Sequence, residues 1–390
     1  MRSLVPTVAD SIILTDVDAH RLWNWVLRRQ GLADDTRLST AYEIAREALG
    51  LHAARLPSPF ATVLARSASA DVAVSLFSPL ATSTLITVRC MRKTLHTLPL
   101  SLAAIAHAAT RHFRVRDALR LIENARFSLY AAERTISRIE DLLAESGALY
   151  HREIERRIAR KGTDVRLVRL SLKLAWERGQ IAYLNRSRGW NRENRQFALT
   201  TVAFPDLDME LDREAAEIAL MSAYFDRYGP ASLSDAAWWS GSPRSAAVRC
   251  LQGDRPVVEL WTSWGEAPLY MFADRYSQFV EDATEPRTGV NLLAHEDVAL
   301  KAYFETRTRY LGALSSRLAF NEIGEALPTV VYDGRVIGIW HWFPREMCAK
   351  ATLFSNDIPT NVRRAVRTQV DRLTTSLRMG WTSGSDMPVC

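Results

Sequence analysis

The chain holds few of the residues on which metal, redox and nucleotide chemistry depend. Its four cysteines, Cys90, Cys250, Cys348 and Cys390, lie far apart and form no C-x-x-C pair, which argues against a zinc site, an iron–sulfur cluster or a disulfide framework. Its eight histidines form no H-E-x-x-H pattern, and no glycine-rich loop of the Walker or dinucleotide-binding type is present. We therefore expect a protein that uses neither a metal nor a cofactor.

Long hydrophobic runs are also missing. No apolar segment reaches the roughly 18 to 20 residues of a membrane-spanning helix, and the N-terminus MRSLVPTVADSIILTDVD lacks the apolar core and cleavage site of a secretion signal. Hydrophobic residues make up 47% and charged residues 24%, which is typical of a globular protein and excludes a disordered one. The sequence predicts a cytoplasmic protein without membrane contact, whose 390 residues suffice for two or three domains.

Positive charge is concentrated in one part of the chain. The formal net charge of +6 is by itself only a mild indication of a polyanionic partner. Residues 151–200, however, hold 13 Lys and Arg against 5 Asp and Glu, whereas residues 201–240 hold 2 basic against 8 acidic residues. This distribution predicts that the first region contacts nucleic acid and that the second serves as scaffold.

Helices followed by a β-ribbon recur along the chain. In residues 131–205, three amphipathic segments precede two strand-like segments, IAYL and RQFALTTV, which flank the basic turn NRSRGWNREN. This is the order of a winged helix, in which one helix enters a groove and the ribbon tip contacts phosphates. Residues 206–280 repeat this order, with three helical segments, the second capped by Ser232, before the strands PVVELWT and APLYMFA.

The two ends of the chain complete the organisation. Residues 1–130 begin with helices and contain the strand-like segment TLITVRCMRKTLHTLP. Residues 281–390 hold a hairpin signal, PTVVYDGRVIGIWHW, in which Asp333-Gly334 suits a tight primed turn. We predict an α+β fold of tandem winged-helix modules, 1–130, 131–205 and 206–280, followed by a β-rich region, 281–390.

Three predictions concern the segments around that hairpin. Residues 280–290 are predicted to be a linker or exposed loop because they hold turn-forming and charged residues. Residues 361–379 are predicted to form an amphipathic basic helix. The tail GWTSGSDMPVC is predicted to be loose.

Four segments of the sequence form a pattern that one known family shares. They are MRKTLH at 91–96, YGPASLSDAAWWSG at 228–241, LLAHEDVALKAYFETRTRYL at 292–311 and LPTVVYDGRVIGIW at 327–340. In this order, they resemble the winged-helix DNA glycosylases of the AlkZ/YcaQ type over nearly the whole chain. The resemblance implies a C-shaped scaffold around duplex DNA and hydrolysis of the bond between an N7-alkylated purine and its deoxyribose. The family that the sequence resembles also includes members that remove bulky adducts, unhook interstrand crosslinks and give self-resistance to DNA-alkylating natural products.

The resemblance places the catalytic signature of the family on Gly50-Leu51-His52-Ala53-Ala54. That signature is G-[LV]-Q-x-Q, or the same with Asp at its end, so His52 replaces the first glutamine and Ala54 the second polar residue. N7 alkylation already makes the base a good leaving group, so the enzyme must mainly hold a water and stabilise an oxocarbenium-like transition state. A histidine can position the water and also accept its proton.

Ala54 leaves three outcomes open. Arg55 or Ser58 takes over the second contact, the pocket is enlarged for a bulkier adduct, or the protein binds lesions without cleaving them. The alternative function is therefore a catalytically inactive winged-helix DNA-binding protein or transcriptional regulator. A protein-interaction scaffold is disfavoured by the basic block at 151–200.

Nine residues besides His52 are candidates for contact with DNA. His96 either faces the DNA or packs, Lys93 stands where the family has glycine, and Arg335 is either a groove contact or a plain turn residue. Trp238 and Trp239 are expected to pack in the core. The candidates are Arg55, Arg92, Lys93, His96, Arg186, Arg188, Arg192, Arg195 and Arg335. The expected partner is double-stranded DNA that carries an alkylated purine, and a monomer suffices.

Overall fold

The computed structural model describes residues 8–160, 162–283 and 287–382. Helices and strands alternate in all parts of these ranges, which confirms the α+β class. Lys161 of the basic block, residues 284–286 of the predicted linker and residues 383–390 of the predicted tail lie outside the described residues.

In the N-terminal region, the strand-like segment 84–99 forms a β-hairpin. Its strands pair antiparallel, and the turn between them holds Arg92 and Lys93 at positive φ. A short edge strand, Leu51–His52, adds to this hairpin and sets His52 opposite His96. The elements are β1 (Asp10–Ile13), α1 (Asp16–Arg29), α2 (Ala41–Glu47), β2 (Leu51–His52), α3 (Pro57–Leu64), α4 (Ala70–Val74), α5 (Pro79–Thr84), β3 (Leu85–Arg89), β4 (Leu95–Pro99) and α6 (Leu100–Asn124).

Residues 129–203 show the predicted order of three helices and a ribbon. The third helix ends at Gly179, whose left-handed φ of 86° satisfies the terminal carbonyls without a side-chain clash. The second predicted strand is shorter than expected, because residues 200–203 form a helical turn. The elements are α7 (Leu129–Ser146), β5 (Leu149–Tyr150), α8 (His151–Ala159), α9 (Val165–Arg178), β6 (Ile181–Asn185), β7 (Arg195–Leu199) and α10 (Thr200–Ala203).

One six-stranded sheet joins these two regions. Its order is β2-β4-β3-β6-β7-β5, and the junction is a single pair, Thr87 with Tyr183. The strand β2, which carries His52, therefore lies at one edge of a sheet whose other half carries the basic turn.

Residues 213–281 repeat the order of three helices and a ribbon, as predicted. Ser232 caps the second helix and, with Asp235, forms a capping box. β8 and β9 pair antiparallel, and β1 joins β8 in parallel. The elements are α11 (Arg213–Tyr228), α12 (Leu233–Ser240), α13 (Arg244–Leu251), β8 (Val257–Trp261), β9 (Leu269–Phe272) and α14 (Ala273–Glu281).

The C-terminal region is built on the predicted hairpin. Tyr332 pairs with Arg335, and Asp333 and Gly334 both have positive φ, as a primed two-residue turn requires. Two strands that the sequence did not reveal, β10 and β13, extend the hairpin to four strands. The elements are β10 (Val290–Leu293), α15 (Val298–Lys301), α16 (Thr308–Leu311), β11 (Thr329–Tyr332), β12 (Arg335–Phe343), β13 (Cys348–Leu353) and α17 (Thr360–Met379), the last being the predicted basic helix.

The buried side chains form two hydrophobic clusters. The smaller cluster extends from Ala118 to Phe197 and therefore begins before the predicted boundary at residue 131. The larger one contains residues from all four predicted regions, including Ala182 and Trp190 of 131–205, so these regions share one core across the predicted boundaries. No helix within the described ranges is long and apolar enough to cross a membrane.

Candidate active site

His52 is a buried side chain at the edge of the six-stranded sheet. It is only 7% exposed, and its ring meets that of His96 edge to face at a centroid distance of 5.5 Å. Its Nε2 lies 4.0 Å from Oε2 of Glu296, while its Nδ1 has no hydrogen-bond partner among the residues that the structure describes. One ring nitrogen therefore faces a carboxylate and the other is unsatisfied.

The surroundings of His52 keep its imidazole neutral. Burial lowers its pKa from 6.5 to about 2, and neighbouring positive charges, Lys301 and Arg92 among them, add to the effect. A neutral imidazole donates a hydrogen bond from one nitrogen and accepts one at the other. In the free protein, His52 is thus suited to orienting a water and is a weak proton acceptor.

Glu296 is held in place by its backbone and by a buried lysine. Its φ of 58° is left-handed, a conformation that costs a non-glycine residue about 1 to 3 kcal/mol and persists only where the surroundings impose it. Its Oε1 accepts hydrogen bonds from the Ala326 backbone and lies 3.0 Å from Nζ of Lys301. Burial lowers the pKa of Lys301 to about 8, and the Glu296 carboxylate opposes that shift.

The turn that carries Glu296 is fixed by a buried ion pair. Arg66 donates two hydrogen bonds to the Asp297 carboxylate, at 2.7 and 2.9 Å, and both side chains are fully buried. Asp297 also caps α15 by accepting from the Ala299 backbone. Since a buried charge is tolerated only when it is paired and hydrogen-bonded, these contacts determine where Glu296 points.

Within the described ranges, neither Arg55 nor Ser58, the two candidates for replacing the polar group missing at Ala54, forms a hydrogen bond or ion pair with His52. Arg55 pairs with Glu325 at 3.2 Å, and the same carboxylate lies 3.4 Å from Nε2 of His295. Ser58 is buried in α3, and its hydroxyl has no partner in the described part of the chain. The carboxylate that faces His52 is that of Glu296, which the sequence interpretation missed, although the His-Glu dipeptide stands inside the segment at 292–311.

A cluster of aromatic and cationic side chains lies beside this pair. Trp238 stacks on Phe304 at a centroid distance of 5.4 Å, and the Arg92 guanidinium lies 3.8 Å above the Trp238 ring. Lys301, the partner of Glu296, lies 4.5 Å from the same ring. Phe304 is 50% exposed, so the cluster opens to solvent. Trp239 is buried, as predicted, whereas Trp238 is only partly buried.

Asp235 and Gly241 explain why the segments of this cluster come together. Asp235 accepts hydrogen bonds from the backbone of Phe304 and Glu305 and from the Thr306 hydroxyl, at 2.6 to 2.7 Å. At Gly241, an added Cβ would lie 3.1 Å from the Arg92 backbone nitrogen, so the close approach of the two segments favours glycine. The motifs at 91–96, 228–241 and 292–311 thus meet at one place.

The residues of the 91–96 motif take different roles. His96 is 7% exposed and lies 3.5 Å from Sγ of Cys90, and burial lowers its pKa to about 4, which favours the packing alternative. Lys93 forms a half-exposed ion pair with Asp117. Arg92 is partly exposed and, within the described ranges, forms no hydrogen bond or ion pair.

The basic turn at 185–195, termed the wing below, is anchored by its tryptophan. Trp190 is buried, and its indole donates to the Leu377 carbonyl of α17 at 2.8 Å. Arg195 pairs with Glu193 and lies over the Tyr183 ring. Three other arginines of the wing are exposed, namely Arg186, Arg188 and Arg192. Their side chains have no hydrogen-bonding or ionic partner among the described residues.

Arg335 is engaged within the molecule. Its guanidinium donates to the Thr308 carbonyl at 3.1 Å. The hairpin tip beside it packs against α1, where the Trp23 indole donates to the Gly334 carbonyl at 2.8 Å. Asp333 has the positive φ expected of its turn position, and its side chain accepts a hydrogen bond from the backbone of Gly289 in the preceding segment.

The site contains three histidines and several carboxylates, but they do not converge on one point. Among the described residues, no group of three or more His, Cys, Asp or Glu side chains is arranged to hold a metal ion.

The model of the DNA glycosylase AlkZ-like family matches residues 45–375 of the chain. Among solved structures, the DNA glycosylase AlkZ of Streptomyces sahachiroi superimposes with a TM-score of 0.73 and covers 91% of this chain and 96% of its own. The two sequences are 20% identical, so this likeness shows a common fold. No curated protein sequence matches the chain significantly.

Proposed function

The chain belongs to the AlkZ-like DNA glycosylase family, and we propose that it hydrolyses the N-glycosidic bond of N7-alkylated purines in duplex DNA. The observation that carries this proposal is the pairing of His52 with Glu296, 4.0 Å apart, beside the exposed Trp238–Phe304 stack. Glu296 supplies the polar group that the family's signature has at its last position and that this chain, with Ala54, lacks there.

His52 and Glu296 act together on one water molecule. With their facing atoms 4.0 Å apart, a water about 2.8 Å from each donates hydrogen bonds to both. The water oxygen attacks C1′ of the deoxyribose while the bond from C1′ to the purine nitrogen breaks. The bonding electrons neutralise the charge of the alkylated base, which leaves as a neutral purine. The proton of the water passes to the His52–Glu296 pair and then to solvent.

The charges around the water suit an oxocarbenium-like transition state. The Glu296 carboxylate lies on the side where positive charge develops on the sugar, in a buried setting where such interactions are strong. Lys301 offsets part of this charge before the substrate binds. The anionic DNA backbone favours protonation of His52, which makes the imidazole a stronger base in the complex than in the free protein.

Recognition of the lesion is assigned to the aromatic and cationic cluster. The exposed face of Phe304 receives the unstacked base, and a positively charged alkylpurine is attracted to an aromatic face. Arg92, which has no other ionic partner in the described ranges, and the wing arginines contact phosphates. The exposed Ala54 leaves room for a bulky adduct, so crosslink unhooking and self-resistance to an alkylating natural product belong to the proposal.

The alternative is a DNA-binding protein of this family that does not cleave. One observation favours it, namely the burial of His52, which lowers the pKa of the imidazole to about 2 and makes it a poor base before DNA binds. The transcriptional-regulator version of this alternative shares the same DNA-binding surface.

The test uses duplex oligonucleotides with N7-methylguanine or a bulky N7 adduct at one position. Released base is measured by mass spectrometry, and abasic sites by alkaline cleavage. We expect release well above spontaneous depurination, faster with the bulky adduct. Release at the spontaneous rate, together with salt-sensitive binding, would overturn the enzymatic proposal in favour of the non-cleaving alternative.

A further inference from the structure

A cavity of about 520 Å³ lies on the face of the six-stranded sheet that is opposite to His52. Thr87, Thr97 and Tyr183 line it, whereas His52 and His96 project to the other face. This follows from strand geometry, because successive side chains of a strand point to opposite faces and Thr97 directly follows His96. The cavity is thus separate from the pocket proposed for catalysis.

The interior of this cavity is largely apolar. Its lining includes Phe60 of α3, Leu76, Phe77, Leu143 of α7 and Phe204. Its volume falls within the range of about 300 to 1,000 Å³ that is typical of small-molecule sites. The cavity therefore matches the size and polarity of an organic molecule better than those of a peptide or nucleotide chain.

The mouth of the cavity carries unpaired positive charge. Arg186 and Arg192 of the wing line it, are exposed, and have no ionic or hydrogen-bonding side-chain partner among the described residues. The other charged groups at the mouth are already paired, Arg55 with Glu325 and Glu193 with Arg195. An anionic group at the mouth would meet two free guanidinium groups, which bind carboxylate, sulfonate and phosphate groups well.

We propose that this cavity binds an amphipathic organic anion of small-molecule size, with its apolar body inside and its acidic group on Arg186 and Arg192. Because the same two arginines belong to the wing, a bound anion competes with DNA phosphates for them. The competition with DNA rests on the proposed function, which assigns the wing to the DNA backbone. The binding of the anion in the cavity does not depend on that function. By reciprocity, DNA weakens the binding of the anion as much as the anion weakens that of DNA.

The first experiment titrates the full-length protein with 8-anilinonaphthalene-1-sulfonate and follows its fluorescence. We expect saturable binding of one molecule per chain, and at least about tenfold weaker binding of the uncharged analogue N-phenyl-1-naphthylamine. Arg186→Ala with Arg192→Ala should weaken binding of the sulfonate to the same degree. Arg188→Ala is the matched control, since Arg188 is an exposed arginine of the same wing that does not line the cavity; it should change binding less than twofold.

Filling the cavity tests its location. Ala203 and Leu76 both line the cavity and come from different parts of the chain. Ala203→Trp and Leu76→Trp should each abolish binding of the sulfonate while the circular dichroism spectrum and thermal midpoint are retained. Two variants are used so that one misfolded protein does not decide the result. Unsaturable binding, or equal binding by a folded filled variant, would overturn the proposed site.

The second experiment measures the affinity for undamaged duplex DNA with and without saturating sulfonate. We expect about tenfold weaker DNA binding with the sulfonate present, and no change in Ala203→Trp. Unchanged DNA affinity in the wild type would overturn the competition while the site itself stands. Base release from the lesion is measured without the sulfonate, so failure of the glycosylase proposal is recognised separately.

Discussion

The His52 pocket and the wing handle charge in opposite ways. In the pocket, Glu296 is paired with Lys301 and the adjacent Asp297 with Arg66, and all four side chains are buried. In the wing, the side chains of Arg186, Arg188 and Arg192 are exposed and have no ionic partner in the described part of the chain. One region neutralises its charges internally, and the other leaves them available for a partner.

This difference separates two tasks that the binding of a damaged duplex requires. Buried pairs cost desolvation energy, and they persist where they hold a group in a defined geometry. Exposed arginines impose little geometry, but they attract phosphates over a distance and release counterions on contact. We therefore expect changes in the pocket to alter the rate of base release, and changes in the wing to alter affinity for DNA.

The largest effect is expected for His52→Ala. Loss of the imidazole removes one of the two groups that hold the water, and loss of one such group commonly lowers a rate about 10² to 10³-fold. Single-turnover release of N7-methylguanine should fall by about 10³, while the DNA dissociation constant changes less than threefold. His52→Gln restores the residue type of the family signature and serves as the control, with release well above that of His52→Ala. Equal release by wild type and His52→Ala would place the chemistry elsewhere.

Glu296→Gln should have the next largest effect. The amide keeps the shape of the side chain but removes the charge that faces Nε2 of His52, so we expect about 10²-fold slower release in the same assay. Glu325→Gln is the matched control, because Glu325 contacts His295 and Arg55 and not His52. A similar loss in both variants would show a general effect of negative charge and would contradict a specific role for Glu296.

Local signals in the sequence predicted much of the fold. The Asp333-Gly334 turn and the capping residue Ser232 each depend on neighbours within a few residues, and both lie where expected. The strand β10 was missed because its partner β11 lies in a later part of the chain. The strand β13 was missed although its partner β12 directly precedes it.

The sequence predicted only the part of the candidate site that lies within the signature motif itself. His52 follows from its position in the signature, but its nearest polar neighbour, Glu296, comes from a turn far along the chain. The position of that turn depends on the buried pair of Arg66 and Asp297, which no local pattern reveals. Similarly, Trp190 looked like part of an exposed basic turn, and it is buried because α17 packs against it.

A triple variant of the wing tests whether its exposed arginines contribute to the affinity for DNA. Replacing Arg186, Arg188 and Arg192 by alanine should weaken binding of undamaged duplex about tenfold and reduce the slope of log affinity against log salt by about 3. Single-turnover release at saturating protein should stay within about threefold of wild type. Arg195→Ala is the control within the same turn, because Glu193 already pairs with Arg195 and its loss should alter the salt slope less. An unchanged slope in the triple variant would remove the wing from the DNA-binding surface.

The smallest effect concerns the pH dependence of release. An exposed histidine with a pKa of 6.5 would lose its neutral form about tenfold per pH unit in more acidic solution. Burial lowers the pKa of His52 to about 2, so the imidazole of the free protein stays neutral throughout mildly acidic solution. After subtraction of spontaneous depurination, single-turnover release at subsaturating protein should therefore change less than twofold between about pH 5.5 and about pH 7.5.

On the alkaline side, Lys301 loses its proton near pH 8, and Glu296 then lacks its counterion. Any change in rate there should move to higher pH in Lys301→Arg, because arginine keeps its charge. An acidic fall with an apparent pKa near 6.5 that disappears in His52→Gln would instead mean that the imidazole is accessible to solvent. The pocket would then be exposed like the wing. The division between a buried pocket that positions the water and an exposed wing that attracts phosphates would not hold.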